Sequence, residues 1–169
     1  MERAWIDEGL RHEREREAQQ LRRSENRHLA TSVIKTQGPA LMRRLVAEVG
    51  AVVDEYRRKA QIGGHDLEFA TLPHEGFCLS KTRMPRVGLE CRPDYDAHIL
   101  SCNLTRTDDQ ESDPTEWMFN LDLALDAAGN ITLHSGTRAF EGVDDAVQYM
   151  VRPVLFPLLD EAPYKTAGN

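Results

Sequence analysis

The sequence lacks the short motifs that identify common enzyme and cofactor sites. It has three cysteines and no CxxC pair, so it predicts neither a disulfide framework nor a zinc knuckle. Its glycines form no GxxxxGK(S/T) or GxGxxG motif, which excludes the usual phosphate-binding loops. We therefore expect no metal and no cofactor, and clues to function must come from the fold and its surface.

Long apolar runs are also missing. The longest, Val154 to Leu159, is far shorter than the ~20 residues needed to cross a bilayer. The N-terminal residues are too highly charged for the core of a secretion signal. The net charge of −7 arises mainly from residues 65–169, and an acidic surface repels phosphates. We expect a cytoplasmic protein with free thiols that binds neither membranes nor nucleic acid.

What the sequence does contain is a pattern in two parts. Residues 2–62 show helical periodicity, whereas residues 66–136 show short alternating segments separated by turns. The pattern predicts an α+β fold: an antiparallel meander of about six strands, packed by helices on one face, with a long charged N-terminal helix. We predict a charged helical arm over 1–37, an α+β domain over 38–162 and a tail over 163–169.

A poorly filled apolar stripe runs along the first predicted helix. Its members fall on one helical face and are Leu10, Ala18, Leu21, Leu29 and Val33. Arg14 and Glu25 occupy positions where the stripe should continue. A helix this polar on all sides either bridges solvent or binds a partner, although a frayed terminal arm explains the same pattern.

A second helix is predicted to follow Gly38-Pro39, because proline is favoured in the first turn of a helix and disfavoured deeper inside. Gly63-Gly64 should end this helix. Its apolar face is well filled and predicts packing on the sheet. The residues of that face are Leu41, Leu45, Val49, Val52, Tyr56 and Ala60.

Six segments have the alternation of strands, and their predicted ranges are 66–72, 77–81, 86–92, 97–105, 116–125 and 130–136. The clearest hairpin surrounds Pro93 to Asp96. We predict that Arg92 pairs with Ala97, which places Cys91 opposite His98.

The last predicted element is a C-terminal helix that begins near Asp144 or Asp145, since either residue suits a helix N-terminus. Its apolar face extends to Leu159. Pro153 and Pro157 each remove a helical hydrogen bond, so we expect a kink or two short helices.

Two constellations suggest chemistry. If Leu123 pairs with Leu133, Asp122 lies opposite His134 and could orient it as a general base. No nucleophile accompanies that pair, and base rates favour a cross-strand ion pair on a solvated sheet face over a catalytic role. A second set comprises three metal-binding residue types, Cys91, His98 and Cys102. Its spacing matches no metal motif, so we predict no metal site.

Two functional hypotheses follow. The favoured one is a non-catalytic protein-interaction or assembly module, with another protein chain or a second copy as the partner of its N-terminal helix. The predicted partner-binding residues are Leu10, Arg14, Leu21, Glu25 and Leu29. The alternative is a small-molecule-binding domain or enzyme that uses the polar sheet face, with Asp122 and His134, or a cleft between sheet and helix.

Overall fold

The computed structural model describes residues 4–159, which form one long helix, a seven-stranded sheet and a second helix. In chain order the elements are α1 (Ala4–Ala60), β1 (Leu67–Thr71), a short 3-10 helix (Pro73–Glu75), β2 (Phe77–Lys81), β3 (Arg86–Asp94), β4 (Ile99–Thr107), β5 (Thr115–Leu125), β6 (Ile131–Ser135), β7 (Arg138–Ala139) and α2 (Val143–Leu155). Each strand pairs antiparallel with the next along the chain. The predicted α+β meander is confirmed, and β7 is an additional edge strand.

One face of the sheet carries the core. Along β5, Leu121 and Leu123 are buried while Met118 on the other face is 70% exposed, because successive strand residues point to opposite faces. Both helices cover the buried face. Fully burying one leucine there contributes about 1.5–3 kcal/mol. Core residues from the helices include Ile34, Met42, Leu45, Val49, Val53, Val147, Met150 and Val154.

The predicted break at Gly38-Pro39 is wrong, because α1 runs through it as one helix of 57 residues. Ile34 before the proline and Met42 after it are both buried against the same core. Packing on both sides therefore outweighs the loss of the hydrogen bond from residue 39 to the carbonyl of Lys35.

Gly38 is a site of close approach and not a helix terminus. A Cβ atom at this position would lie 2.6 Å from Cε1 of Tyr95. The tyrosine ring occupies the space that any other side chain would need.

The predicted boundary between an arm (1–37) and a domain (38–162) falls inside α1. The helix is continuous across it, and Ile34, on the arm side, is fully buried. The division itself stays a prediction. The predicted tail over 163–169 lies outside the described residues.

The predicted register of the β3–β4 hairpin is also wrong. Cys91 lies opposite Cys102 and not His98, and Arg92 lies opposite Ser101 and not Ala97. β3 continues to Asp94, two residues beyond its predicted end, whereas β4 begins at Ile99, two residues after its predicted start. The turn comprises residues 95–98. The shift is four residues, an even number, so the predicted assignment of faces is unaffected.

Of the two arrangements predicted for this segment, two short helices do not form over the described residues, and a kink stays a prediction. A single helix ends at Leu155, with Pro153 inside it, and Leu158 and Leu159 beyond it are 80% and 74% exposed. Two positively charged side chains from the sheet donate hydrogen bonds to backbone carbonyls at this end of the chain. Lys81 Nζ donates to the Leu155 carbonyl at 3.0 Å, and Arg106 Nη1 donates to the Pro157 carbonyl at 2.8 Å.

Candidate interaction surface

Of the described part of the predicted arm, only residues 4–29 lie outside the packed part of the protein, and in the structure these residues are the arm. Every residue of the arm is exposed except Ala18, which is half-buried. At a rise of about 1.5 Å per residue the arm is about 39 Å long. Leu10, Leu21 and Leu29 are 44%, 61% and 67% exposed, so its leucines find little apolar surface within the chain.

The five predicted partner-binding residues occupy one line along the arm, the outer stripe, which also includes Ala18. Arg14 and Glu25 are exposed within it. The ion pairs of the arm lie beside the stripe, as between Arg11 and Glu8 at 4.0 Å. Among residues 4–159, neither Arg14 nor Glu25 forms an ion pair, so both charges are available to a partner.

Near the domain, the outer stripe continues along a side of α1 that is exposed. Ser32 and Thr36 continue the spacing of the stripe toward the domain, and both are exposed. Ile34 and Gly38 lie two residues after Ser32 and Thr36, point to a different side of the helix, and are buried. A partner aligned on the stripe could therefore contact α1 as far as these two residues.

The β3–β4 turn, residues 95–98, contacts α1 at the point where the arm joins the packed half of the helix. Thr31 Oγ1 donates to the Arg27 carbonyl at 2.9 Å and lies 2.6 Å from Nε2 of His98. Because the single hydroxyl hydrogen of Thr31 is used, His98 donates from its Nε2–H. Lys35 and Asp96 add an ion pair to the same contact.

Tyr95 completes this anchor. Its ring packs against Gly38, and its hydroxyl donates to Oε2 of Glu75 at 2.6 Å. Burial and the neighbouring carboxylate of Glu75 raise the pKa of Tyr95 above its ordinary value. The phenol consequently remains a protonated donor.

Sequence reasoning missed these anchoring contacts. It placed His98 in a strand, whereas the residue lies in the turn with a positive φ of 59°. It interpreted Gly38 as a break. One signal was available in the sequence. A glycine on the apolar face of a helix can mark a position where another side chain packs closely against the helix backbone.

On the other face of the sheet, Asp122 lies opposite His134, and Leu123 lies opposite Leu133, as predicted. His134 Nε2 contacts Thr132 Oγ1 at 2.9 Å, and that hydroxyl donates to the Ala124 carbonyl at 3.3 Å. Within the described part of the chain, no ion pair joins Asp122 to His134. Their predicted catalytic role stays a prediction.

The polar sheet face has one unusual acceptor. Oδ1 of Asn103 is shielded from solvent and has no hydrogen-bond partner among residues 4–159. Asn103 lies between Glu90 and Met118 on the neighbouring strands. A depression of about 430 Å³ near the ends of β2, β3 and β4, lined in part by Ser80, is open to solvent and does not include Asn103.

The cysteine and histidine set does not converge. Cys91 and Cys102 face each other in the core. His98 lies in the turn and contacts Thr31 of α1. The neighbouring Cys91 thiol and burial raise the pKa of Cys102 well above its ordinary value. Over residues 4–159, no group of three or more His, Cys, Asp or Glu residues is arranged to hold a metal ion.

No protein-family model, curated protein or solved structure matches this chain. Within the described range, no helix combines the length and apolar character needed to cross a membrane. The geometry of the chain itself is therefore the basis for a functional proposal.

Proposed function

We propose that this protein is a non-catalytic interaction or assembly module whose arm binds another protein chain or a second copy. The observation that carries the proposal is the outer stripe: three leucines and two unpaired charges on a helix that its own domain does not cover. Exposed apolar residues in a line of this kind are typical of helices that pack on a partner.

The physical basis is that an isolated helix with so few apolar contacts is marginal in water. Burying one of the stripe leucines fully in an interface would contribute about 1.5–3 kcal/mol. The contacts of Thr31 and Lys35 with the β3–β4 turn fix the base of the arm. This preorganisation lowers the ordering cost of binding.

A triple substitution in the full chain tests the proposal. Replacing Leu10, Leu21 and Leu29 by serine removes the apolar part of the stripe. The matched control replaces His12, Gln19 and Arg23 by serine, because these residues lie on the opposite side of the same helix. We expect the stripe variant to lose association while the control retains it.

Association is measured by light scattering and by chemical cross-linking in cells, with circular dichroism as the folding check. Equal association of both variants would contradict a role for the stripe. A deletion should end at residue 28, because a cut at residue 36 would remove the anchored Thr31 and the core residue Ile34.

The alternative, a small-molecule site on the polar sheet face, is supported by the unpartnered Oδ1 of Asn103. An acceptor of this kind beside Glu90 suits a ligand with hydrogen-bond donors. Thermal-shift screening of polar amines and amides against the native chain and Asn103→Ala tests it. A ligand that stabilises only the native chain would favour this alternative.

A further inference from the structure

The outer stripe has an internal symmetry. Leu10 and Leu29, Arg14 and Glu25, and Ala18 and Leu21 are each equidistant from the midpoint between residues 19 and 20. All six lie on one helix and one side of it. If a second copy of the helix lies antiparallel against the first, with the two stripes facing each other, leucine therefore meets leucine, arginine meets glutamate, and alanine meets leucine.

We propose that the partner of the arm is a second copy of this chain, bound antiparallel about a two-fold axis that passes between residues 19 and 20. The inference rests on the proposed function and specifies its partner. In a two-fold interface, residue i contacts residue j and residue j contacts residue i. Each dimer then has two Arg14–Glu25 ion pairs, two Leu10–Leu29 contacts and two Ala18–Leu21 contacts.

The charges favour this orientation over the parallel one. In a parallel pair Arg14 would face Arg14, and Glu25 would face Glu25, so both contacts would be repulsive. Within one chain the two residues cannot meet, because eleven residues of helix separate them by about 16 Å. The antiparallel arrangement pairs opposite charges and places large side chains against small ones at the centre.

The spacing of the stripe suits a long contact. Leu10 and Leu21, like Arg14 and Glu25, are eleven residues apart, which corresponds to about 3.67 residues per turn and keeps them on one side of a nearly straight helix. Toward the domain, the arm of the second copy would run along Ser32. That residue is exposed, so its position on α1 is open to the second copy.

Charge exchange in the full chain tests the proposal. Arg14→Glu and Glu25→Arg each replace the two ion pairs by like-charge contacts, and arginine and glutamate have similar helix propensities. We expect each single variant to weaken the dimer about tenfold or more, as measured by the dissociation constant in sedimentation equilibrium. The double variant should recover native affinity, and Arg16→Glu on the opposite side should leave it unchanged.

Disulfide trapping tests the orientation. In a Cys78→Ser background, an equal mixture of Leu10→Cys and Leu29→Cys chains should cross-link between copies on mild oxidation. Leu10→Cys alone should not cross-link, because its two positions would be about 28 Å apart in the antiparallel dimer. Efficient self-cross-linking of Leu10→Cys would establish a parallel pair and overturn the proposal.

The remaining outcomes separate this inference from the proposed function. A chain that is monomeric at every concentration, yet captures another protein through the stripe leucines, overturns the self-pairing while the interaction role stands. A dimer that survives the triple serine substitution overturns both. Single charge variants that match the native affinity overturn the pairing of Arg14 with Glu25.

Discussion

The two halves of α1 have the same secondary structure and opposite environments. Residues 31–60 pack against the sheet and α2, with Leu45 fully buried, whereas Leu21 in the arm is 61% exposed. The difference lies in how often an apolar residue recurs on one side. The packed half places one there every three or four residues, whereas the stripe of the arm is interrupted by Arg14 and Glu25.

This comparison shows that helix formation and helix packing are separable. Starting a helix is unfavourable, but extending one adds a hydrogen bond for each residue ordered. The packed half is therefore a nucleus from which the arm continues. The arm can consequently remain helical although its sequence does not pack on the core.

The largest expected effect contrasts the same substitution in the two halves. Leu45→Ala should lower the free energy of unfolding by about 2–5 kcal/mol, because it leaves a cavity in the core. Leu21→Ala should change it by less than about 0.5 kcal/mol in the monomer, since that side chain is exposed. Urea denaturation followed by circular dichroism measures both. Equal losses would mean that the arm folds back and packs on its own domain.

A smaller effect is expected from two glycines on the same helix. Gly38→Ala should destabilise the protein by about 1–3 kcal/mol, because the added methyl group collides with the ring of Tyr95. Gly9→Ala meets no atom within 4 Å and should favour the helix by about 0.5–1 kcal/mol. Thermal unfolding measures the loss of stability in Gly38→Ala. The helical ellipticity measured by circular dichroism reports the gain of helix in Gly9→Ala. A stabilising Gly38→Ala would show that Tyr95 does not anchor α1.

The smallest expected effect compares two ion pairs. Arg83 donates to Asp66 from Nε at 2.7 Å and from Nη2 at 3.1 Å, and this pairing lowers the pKa of Asp66. In contrast, Arg11 and Glu8 in the arm are 4.0 Å apart and exposed. Arg83→Ala should reduce stability, and Arg11→Ala should not.

The sign of the pH dependence follows from the lowered pKa of Asp66. The contribution of a carboxylate with a depressed pKa is complete above the ordinary value of about 4 and is lost as the pH falls through its folded-state pKa. The stability difference between the native chain and Arg83→Ala should therefore narrow on acidification below that value. Urea unfolding as a function of pH measures it, and a constant difference would exclude the ion pair as its cause.

Local periodicity was sufficient to predict several features. The alternation along β5 predicted which side chains enter the core, and Asp122 was correctly placed opposite His134. The outer stripe was visible because a helix repeats its faces every three to four residues. These predictions depend on near neighbours in the chain, and each residue's side of an element follows from its position there.

Tertiary structure alone decided the continuity of α1 through Pro39 and the register of β3 against β4. The energy that keeps the helix intact arises from burial of Ile34 and Met42 against residues far away in the sequence. A register shift of four residues preserves every face, so the hydrophobic pattern cannot distinguish the two alignments. The observed one is accompanied by the turn that brings His98 to Thr31, a contact across 67 positions that no local pattern encodes.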